Sequence, residues 1–186
     1  KTKLDSSFPV AQFAVGDYFL QFTKYRNQYG GGLILFIRKG TICKRKADFE
    51  LSQFCECLSI ELSVKKKTWF IMSLYCPPTS GQTGHFFTEL STFMNQAINR
   101  YDNIIIIGDI NTDTGKIGHD ATKLREFSDV FGLTNLIKEK TCVTSRSMSS
   151  IDAILTNGPK CFQKSRAVSV GLSDYKKFIV TRMKSH

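Results

Sequence analysis

The sequence predicts an α/β sandwich in which two mixed sheets pack face to face with helices outside. Two observations lead there: apolar runs of strand length outnumber the segments with helical spacing, and successive runs are often joined by tight turns. At 186 residues the chain can bury a proper core, and no interior stretch reads as a linker, so residues 1–186 are expected to form one domain.

Gly30-Gly31-Gly32 reads as a flexible turn feeding a strand from Leu33 to Ile37, which Arg38-Lys39-Gly40 closes. No Gly-Lys-Ser or helix start follows the triplet, so it is read as a loop and not as a phosphate cradle. From Phe54 the residues alternate, with Leu58, Ile60 and Leu62 on one side and Ser59 and Glu61 on the other, which is the pattern of a half-buried strand. Lys65-Lys66-Lys67 is a solvated hairpin turn leading into Trp69 to Tyr75, and that run stops at Cys76-Pro77-Pro78, where the prolines have no N–H to donate. Phe86, Phe87, Leu90, Phe93, Met94, Ala97 and Ile98 recur at helical spacing, with Glu89, Asn95 and Arg100 opposite, so this stripe is core packing. The helix leads through Asp102-Asn103 into the strand beginning at Ile104. A second helix carries Leu124, Phe127, Val130 and Phe131 and stops at Gly132. Short strands follow at Ile151 to Leu155, Val168 to Val170 and Phe178 to Thr181.

Lys and Arg total 26 against 16 Asp and Glu, a formal charge of +10 that favours polyanion partners, although solubility alone accounts for it equally well. Cys43, Cys55, Cys57, Cys76, Cys142 and Cys161 show no Cys-x-x-Cys spacing and the chain has three histidines, which argues against a zinc site. Cys55 and Cys57 point the same way along one strand, so the cysteines are read as reduced residues of an intracellular protein. No apolar run approaches the roughly 20 residues needed to span a bilayer, and no signal-peptide pattern opens the chain, so no membrane partner is expected. The chain opens on Lys-Thr-Lys without methionine, which suggests a fragment whose beginning is missing or processed.

The run from Ile104 to Ile107 is β-branched throughout and suits a strand buried on both faces. Gly108 ends it, and Asp109 and Asn111 then fall on one side of the strand if extended geometry persists. A strand that delivers an acid and an amide to the rim of a sheet is how hydrolytic sites are commonly built. The same Asp-x-Asn also suits a simple turn. Asp152 lies inside the apolar run from Ile151 to Leu155, where an acid is costly to bury unless something pairs with it; an edge strand with Asp152 facing water is the alternative.

The segments Leu74-Tyr75-Cys76-Pro77-Pro78, Ile107-Gly108-Asp109-Ile110-Asn111, Ser150 to Asn157 and Gly171-Leu172-Ser173-Asp174 resemble, in order, the motifs of the endonuclease/exonuclease/phosphatase superfamily. Lys1 to Pro9 and Arg26-Asn27 with the glycine triplet are similar to the endonuclease domain of non-LTR (LINE-type) retrotransposons, so the resemblance runs nearly end to end. It implies a four-layered α/β sandwich of two mixed, mainly antiparallel sheets, with a phosphodiesterase site dependent on Mg2+ (or Mn2+) at one end. Asp109 would orient or deprotonate the attacking water, Asn111 would hydrogen-bond that water or a phosphate oxygen, and Tyr75 would donate to the scissile phosphate. Asp174 matches the acid close to the metal, and Asp152 the acid that orients the histidine of the terminal motif. DNA is the implied substrate, a reverse transcriptase the implied fused neighbour, and the nucleus the implied location.

Two positions depart from the family's pattern. Tyr175 stands where the family has its histidine, and a phenol cannot supply the cation that imidazole forms near neutrality. Lys1 stands where the family has its metal-binding glutamate, and the strand that precedes it in the family would lie before this chain. These replacements predict weak or no catalysis by this copy. The expected function is thus a magnesium-dependent DNA endonuclease domain of a retroelement. The alternatives are a non-catalytic nucleic-acid-binding module derived from it and a phosphatase of the same superfamily. His85, His119 and His186 are assigned to loops or a tail and are not expected to substitute at the site.

Overall fold

The computed structural model of the chain describes residues 15–24, 32–51, 55–64, 66–77, 83–113, 117–138, 140, 142–143, 148–169 and 177–183. In chain order the elements are β1 (Tyr18–Lys24), β2 (Leu33–Arg38), β3 (Ile42–Arg45), β4 (Glu56–Val64), β5 (Lys67–Tyr75), α1 (Thr83–Ala97), β6 (Asn103–Asp109), α2 (His119–Val130), β7 (Thr134–Asn135), β8 (Cys142–Val143), β9 (Met148–Ser149), β10 (Asp152–Thr156), β11 (Phe162–Ser169) and β12 (Lys177–Met183). Six of the strands form one mixed sheet in the order β3-β4-β5-β6-β10-β7. Only β5 and β6 run parallel, and α1 is the crossover between them, as parallel neighbours require. Among the described residues β1–β2, β8–β9 and β11–β12 are separate two-stranded sheets. The fold is therefore α/β, built on a mixed and mainly antiparallel sheet.

Both helices lie on one face of the sheet. Cys57, Phe70, Met72, Leu74, Ile104, Ile106, Ala153 and Leu155 point that way and bury against Phe86, Phe87, Leu90, Met94, Leu124 and Phe127. Each fully buried Leu, Ile, Phe or Met among them is worth roughly 1.5–3 kcal/mol. The helical spacing read from the sequence thus selects the packed face, except that Ile98 and Val130 are exposed because each sits at or beyond the last turn of its helix. Gly132 adopts φ 61° and ends α2 as the left-handed stop expected there.

The opposite face carries Trp69, Ile105 and Ile154, joined by Ile137 and by Phe162 of β11, whose ring meets Trp69 edge-on at 5.7 Å between centroids. Ile104, Ile105 and Ile106 are buried on alternating faces, as a strand covered on both sides demands. The β4–β5 hairpin turns at the lysines, with Lys66 at φ 63° and Val64 opposite Lys67.

Several elements differ from the sequence expectation. β1, β3, β7 and the short pair β8–β9 are strands beyond those expected; β3, β7, β8 and β9 are two to four residues long, too short to show an apolar period, and β11 begins at Phe162, well before Val168. His85 and His119 occupy the first turns of α1 and α2 and are not in loops; both line a groove of about 810 Å³ between the helices, on the face away from the polar strand ends described next. The cysteine expectation is corrected at one pair: Cys55 is disulfide-bonded to Cys76, while Cys43, Cys57 and Cys161 are thiols. The reason is register. Glu56 faces Tyr75 in the last rung of β4–β5, so Cys55 and Cys76 stand opposite each other one step further on, with α-carbons 4.4 Å apart.

Candidate active site

Residues paired across a sheet point to the same face. Glu56 is opposite Tyr75, Tyr75 is opposite Asp109 and Asp109 is opposite Asp152, so one row crosses β4, β5, β6 and β10 at a single end of the sheet. Its parity is that of Trp69, Ile105 and Ile154, which puts the row on the face away from the helices. Tyr75, Asp109 and Asp152 are half-buried, reachable by a ligand yet held by regular strands. Three of the residues singled out in the sequence are therefore brought together. Asp174, Tyr175 and Lys1 lie outside the described residues.

Gly108 makes this alignment possible. A β-carbon on it would stand 1.8 Å from the Leu74 carbonyl oxygen, so no other residue lets β6 run this close to β5. The next residue, Asp109, then accepts the Cys76 N–H on its own carbonyl at 2.8 Å.

Beyond Asp109 the chain turns. The extended geometry expected through Asn111 is not kept: Asn111 has φ 48°, a left-handed conformation that asparagine tolerates better than most residues. Its N–H donates to Asp109 Oδ1 at 3.0 Å, the hydrogen bond of an Asx turn. Its side-chain Nδ2 donates to the Cys76 carbonyl, which ties the carboxamide to the end of β5 beside Tyr75. Turn and site are thus the same local structure. The Ile110 N–H donates to Ile151 O at 3.0 Å, and Asp113 Oδ1 accepts the Ser150 N–H at 3.0 Å, so the segment after β6 is strapped to the start of β10 as well.

Asp152 fits neither of its two expected settings fully. β7 pairs with β10 only at Leu155 and Thr156, which leaves the Asp152 end without a β7 neighbour, yet on the other side Asp152 faces Asp109 directly. Like charges in that position repel. Two carboxylates side by side are a donor set that suits a hard divalent cation, because Mg2+ is commonly held by one or two carboxylates with water and substrate phosphate completing its shell. Among the described residues no group of three or more His, Cys, Asp or Glu could hold a metal ion.

Glu56 escaped the sequence reading although a signal was present. It shares the alternating side of Leu58, Ile60 and Leu62, which makes it an acid on an apolar face, as Asp152 is. Its side chain is 8% exposed and its Oε2 accepts the N–H of Gly32, the last glycine of the triplet. That N–H is therefore committed to a carboxylate, while Gly30 and Gly31 lie outside the described residues.

The phenol and two carboxylates on neighbouring strand ends, with an Asx turn fixing an amide beside them, sit in an α/β domain whose fold is similar to that of a solved endonuclease/exonuclease/phosphatase family protein. The model of the endonuclease-reverse transcriptase family matches residues 69–178, and the chain belongs to that family. No curated protein gives a significant sequence match. Among solved structures the chain is similar to the endonuclease domain of TRAS1, a telomere-specific non-LTR retrotransposon, with a TM-score of 0.75 and 12% identity over 92% of this chain and 82% of that one. It is also similar to the 3′ phosphatase NExo from Neisseria bound to a product DNA hairpin, with a TM-score of 0.69 and 14% identity over 98% of this chain and 86% of that one. An endonuclease/exonuclease/phosphatase family protein from Leptotrichia buccalis gives a TM-score of 0.61 and 14% identity over 94% and 75% of the two chains.

Two outcomes follow from this geometry. Gly108→Ala forces backbone atoms apart and is expected to cost at least ~3 kcal/mol, read from the urea midpoint. Breaking the Cys55–Cys76 bond, which closes a loop with a sequence separation of 21, is expected to cost about 3 kcal/mol. Cys76→Ser and the wild type in dithiothreitol should then share one lowered midpoint; a wild-type midpoint indifferent to the reductant would contradict the bond.

Proposed function

We propose that this chain is a DNA endonuclease domain of a retroelement, a magnesium- or manganese-dependent phosphodiester hydrolase whose activity in this copy is weak or absent. The observation that carries the reading is the row of Tyr75, Asp109 and Asp152 at one sheet end, in a chain that belongs to the endonuclease-reverse transcriptase family. With it go a single domain over residues 1–186, the four-layered sandwich in which β1–β2 and β11–β12 contribute to a second sheet, a fused reverse transcriptase as partner and action on DNA in the nucleus. Contacts of β2 with β4 and β5, and of Phe162 with Trp69, support the second layer. Among the described residues no helix is long and apolar enough to cross a membrane.

Hydrolysis of a phosphodiester gathers negative charge around phosphorus, so catalysis rests on fixed donors and on carboxylates that hold water and cation. Tyr75 donates its phenolic O–H to a non-bridging phosphate oxygen. Asp109 takes the proton of the attacking water or orients it, and the hydrogen bond from the Asn111 N–H holds that carboxylate in place. Asn111 has one side-chain N–H on the Cys76 carbonyl and a second with which to reach water or phosphate. Asp174 would hold the divalent ion, which supplies electrostatic stabilisation of the phosphoryl oxygens when bound. Asp152 would orient the side chain at position 175.

Tyr175 and Lys1, together with the formal charge of +10, favour a second reading, a non-catalytic module that binds nucleic acid. Supercoiled plasmid separates the two. Slow nicking is expected with magnesium, none with EDTA, and a loss of about 100-fold or more in Asp109→Ala. DNA binding that survives EDTA without nicking in any variant supports the module, and phosphate release from inositol phosphates without DNA cleavage supports a phosphatase.

Tyr175→His is expected to raise nicking, yet to fall short of the roughly thousandfold that an electrostatic group of this kind can contribute, because Lys1 still replaces glutamate. Recovery of that whole factor by the single change would refute the metal-side account.

A further inference from the structure

We propose that Glu56 is a positioning residue for the phosphodiesterase site, its buried carboxylate fastening the Gly32 backbone beside Tyr75 and so fixing where β2 meets the row of Tyr75, Asp109 and Asp152. The catalytic half of this inference rests on the proposed function. Three observations carry it. Glu56 stands directly opposite Tyr75 on the same face, making it the fourth member of the row. Its side chain is 8% exposed in a setting where an ionised carboxylate is costly, and the Gly32 N–H answers that cost with a charge-assisted hydrogen bond. Gly32 is itself buried and held at φ 95°, a conformation that residues with a β-carbon rarely adopt, so its N–H is aimed by a backbone geometry specific to glycine.

The consequence is mechanical. β2 begins at Leu33, immediately after Gly32, and, although it pairs with β1, it also lies against β4 and β5, the strands that carry Glu56 and Tyr75. The Glu56–Gly32 bond fastens the start of β2 at the end of those strands where Tyr75 and Asp109 face one another. On the neighbouring side, the Cys55–Cys76 bond fixes the residues adjoining Glu56 and Tyr75 in chain order. Glu56 acts through Gly32 and sets where the wall of the site stands relative to Tyr75.

The test compares Glu56→Ala, Glu56→Gln and Gly32→Ala with wild type in magnesium-dependent plasmid nicking and in amide hydrogen exchange. A small misplacement of a reacting group costs up to about 100-fold, so Glu56→Ala is expected to lower kcat by about 10- to 100-fold with KM changed by less than about threefold. Glu56→Gln keeps an acceptor for the Gly32 N–H and is expected to restore most of that loss, whereas Gly32→Ala reproduces the Glu56→Ala defect. Trp69→Phe, at the far end of the same β5, serves as a destabilised control that retains kcat. Exchange at the Gly32 amide should accelerate in Glu56→Ala and stay slow in Glu56→Gln. Unchanged Gly32 exchange in Glu56→Ala, or a Glu56→Gln variant as impaired as Glu56→Ala, overturns the positioning role. A complete lack of Asp109-dependent nicking in the wild type overturns the catalytic half of this inference and favours the non-catalytic module, and Gly32 exchange then decides the clamp by itself.

Discussion

Parallel pairing of β5 with β6 brings Gly108 so near the Leu74 carbonyl that a β-carbon there would sit 1.8 Å from the oxygen, and the arrangement of the polar strand ends follows from that approach. Because the strands can come together at this point, Tyr75 and Asp109 share a rung and Cys76 can donate to the Asp109 carbonyl. Asn111 then finds the Cys76 carbonyl within reach of its side chain. A bulkier residue at position 108 would have to displace main-chain atoms of β5, and every group downstream would move with them. The four isoleucines before Gly108 anchor the approach from behind by filling both faces of the sheet.

The two faces divide the work. Helices α1 and α2 cover one of them with a continuous apolar core, in which Phe70 stacks on Tyr101 and meets Phe49 at a tilt, both with ring centroids 5.1 Å apart. The other face is apolar at the Trp69 end and polar at the Tyr75 end. Rigidity for the polar groups therefore comes from strands whose far halves are locked into packing, which is the economical way to hold half-buried carboxylates close together.

Much of this was legible in the sequence, and the parts that were not have physical reasons. Strands with strong bias, Trp69 to Tyr75 and Ile104 to Ile107, and the two helices with apolar stripes could be read because burial imposes a period. The acid inside Ile151 to Leu155 stood out for the same reason, and Glu56 could have been found by applying that rule to β4. Short strands such as β3 and β7 show no period because four residues or two cannot display one. The Asp109-x-Asn111 motif was legible as a motif, but its left-handed turn was not, since the conformation depends on the Cys76 carbonyl, far away in sequence. The disulfide was hidden likewise: pairing of Cys55 with Cys76 is a matter of strand register, which cysteine spacing alone does not encode.

The register that hides this crosslink also gives it a topological effect. A two-stranded ladder ordinarily unzips from whichever end is loose. Between β4 and β5 neither end is loose, because the lysine turn closes one and the Cys55–Cys76 bond closes the other, making the intervening main chain a covalent ring. Tyr75 lies inside that ring, whereas Asp109, Asn111 and Asp152 lie on strands and turns outside it. Any loosening of the polar cluster must enter from the β6 and β10 side, so the phenol is the fixed reference point against which the carboxylates adjust.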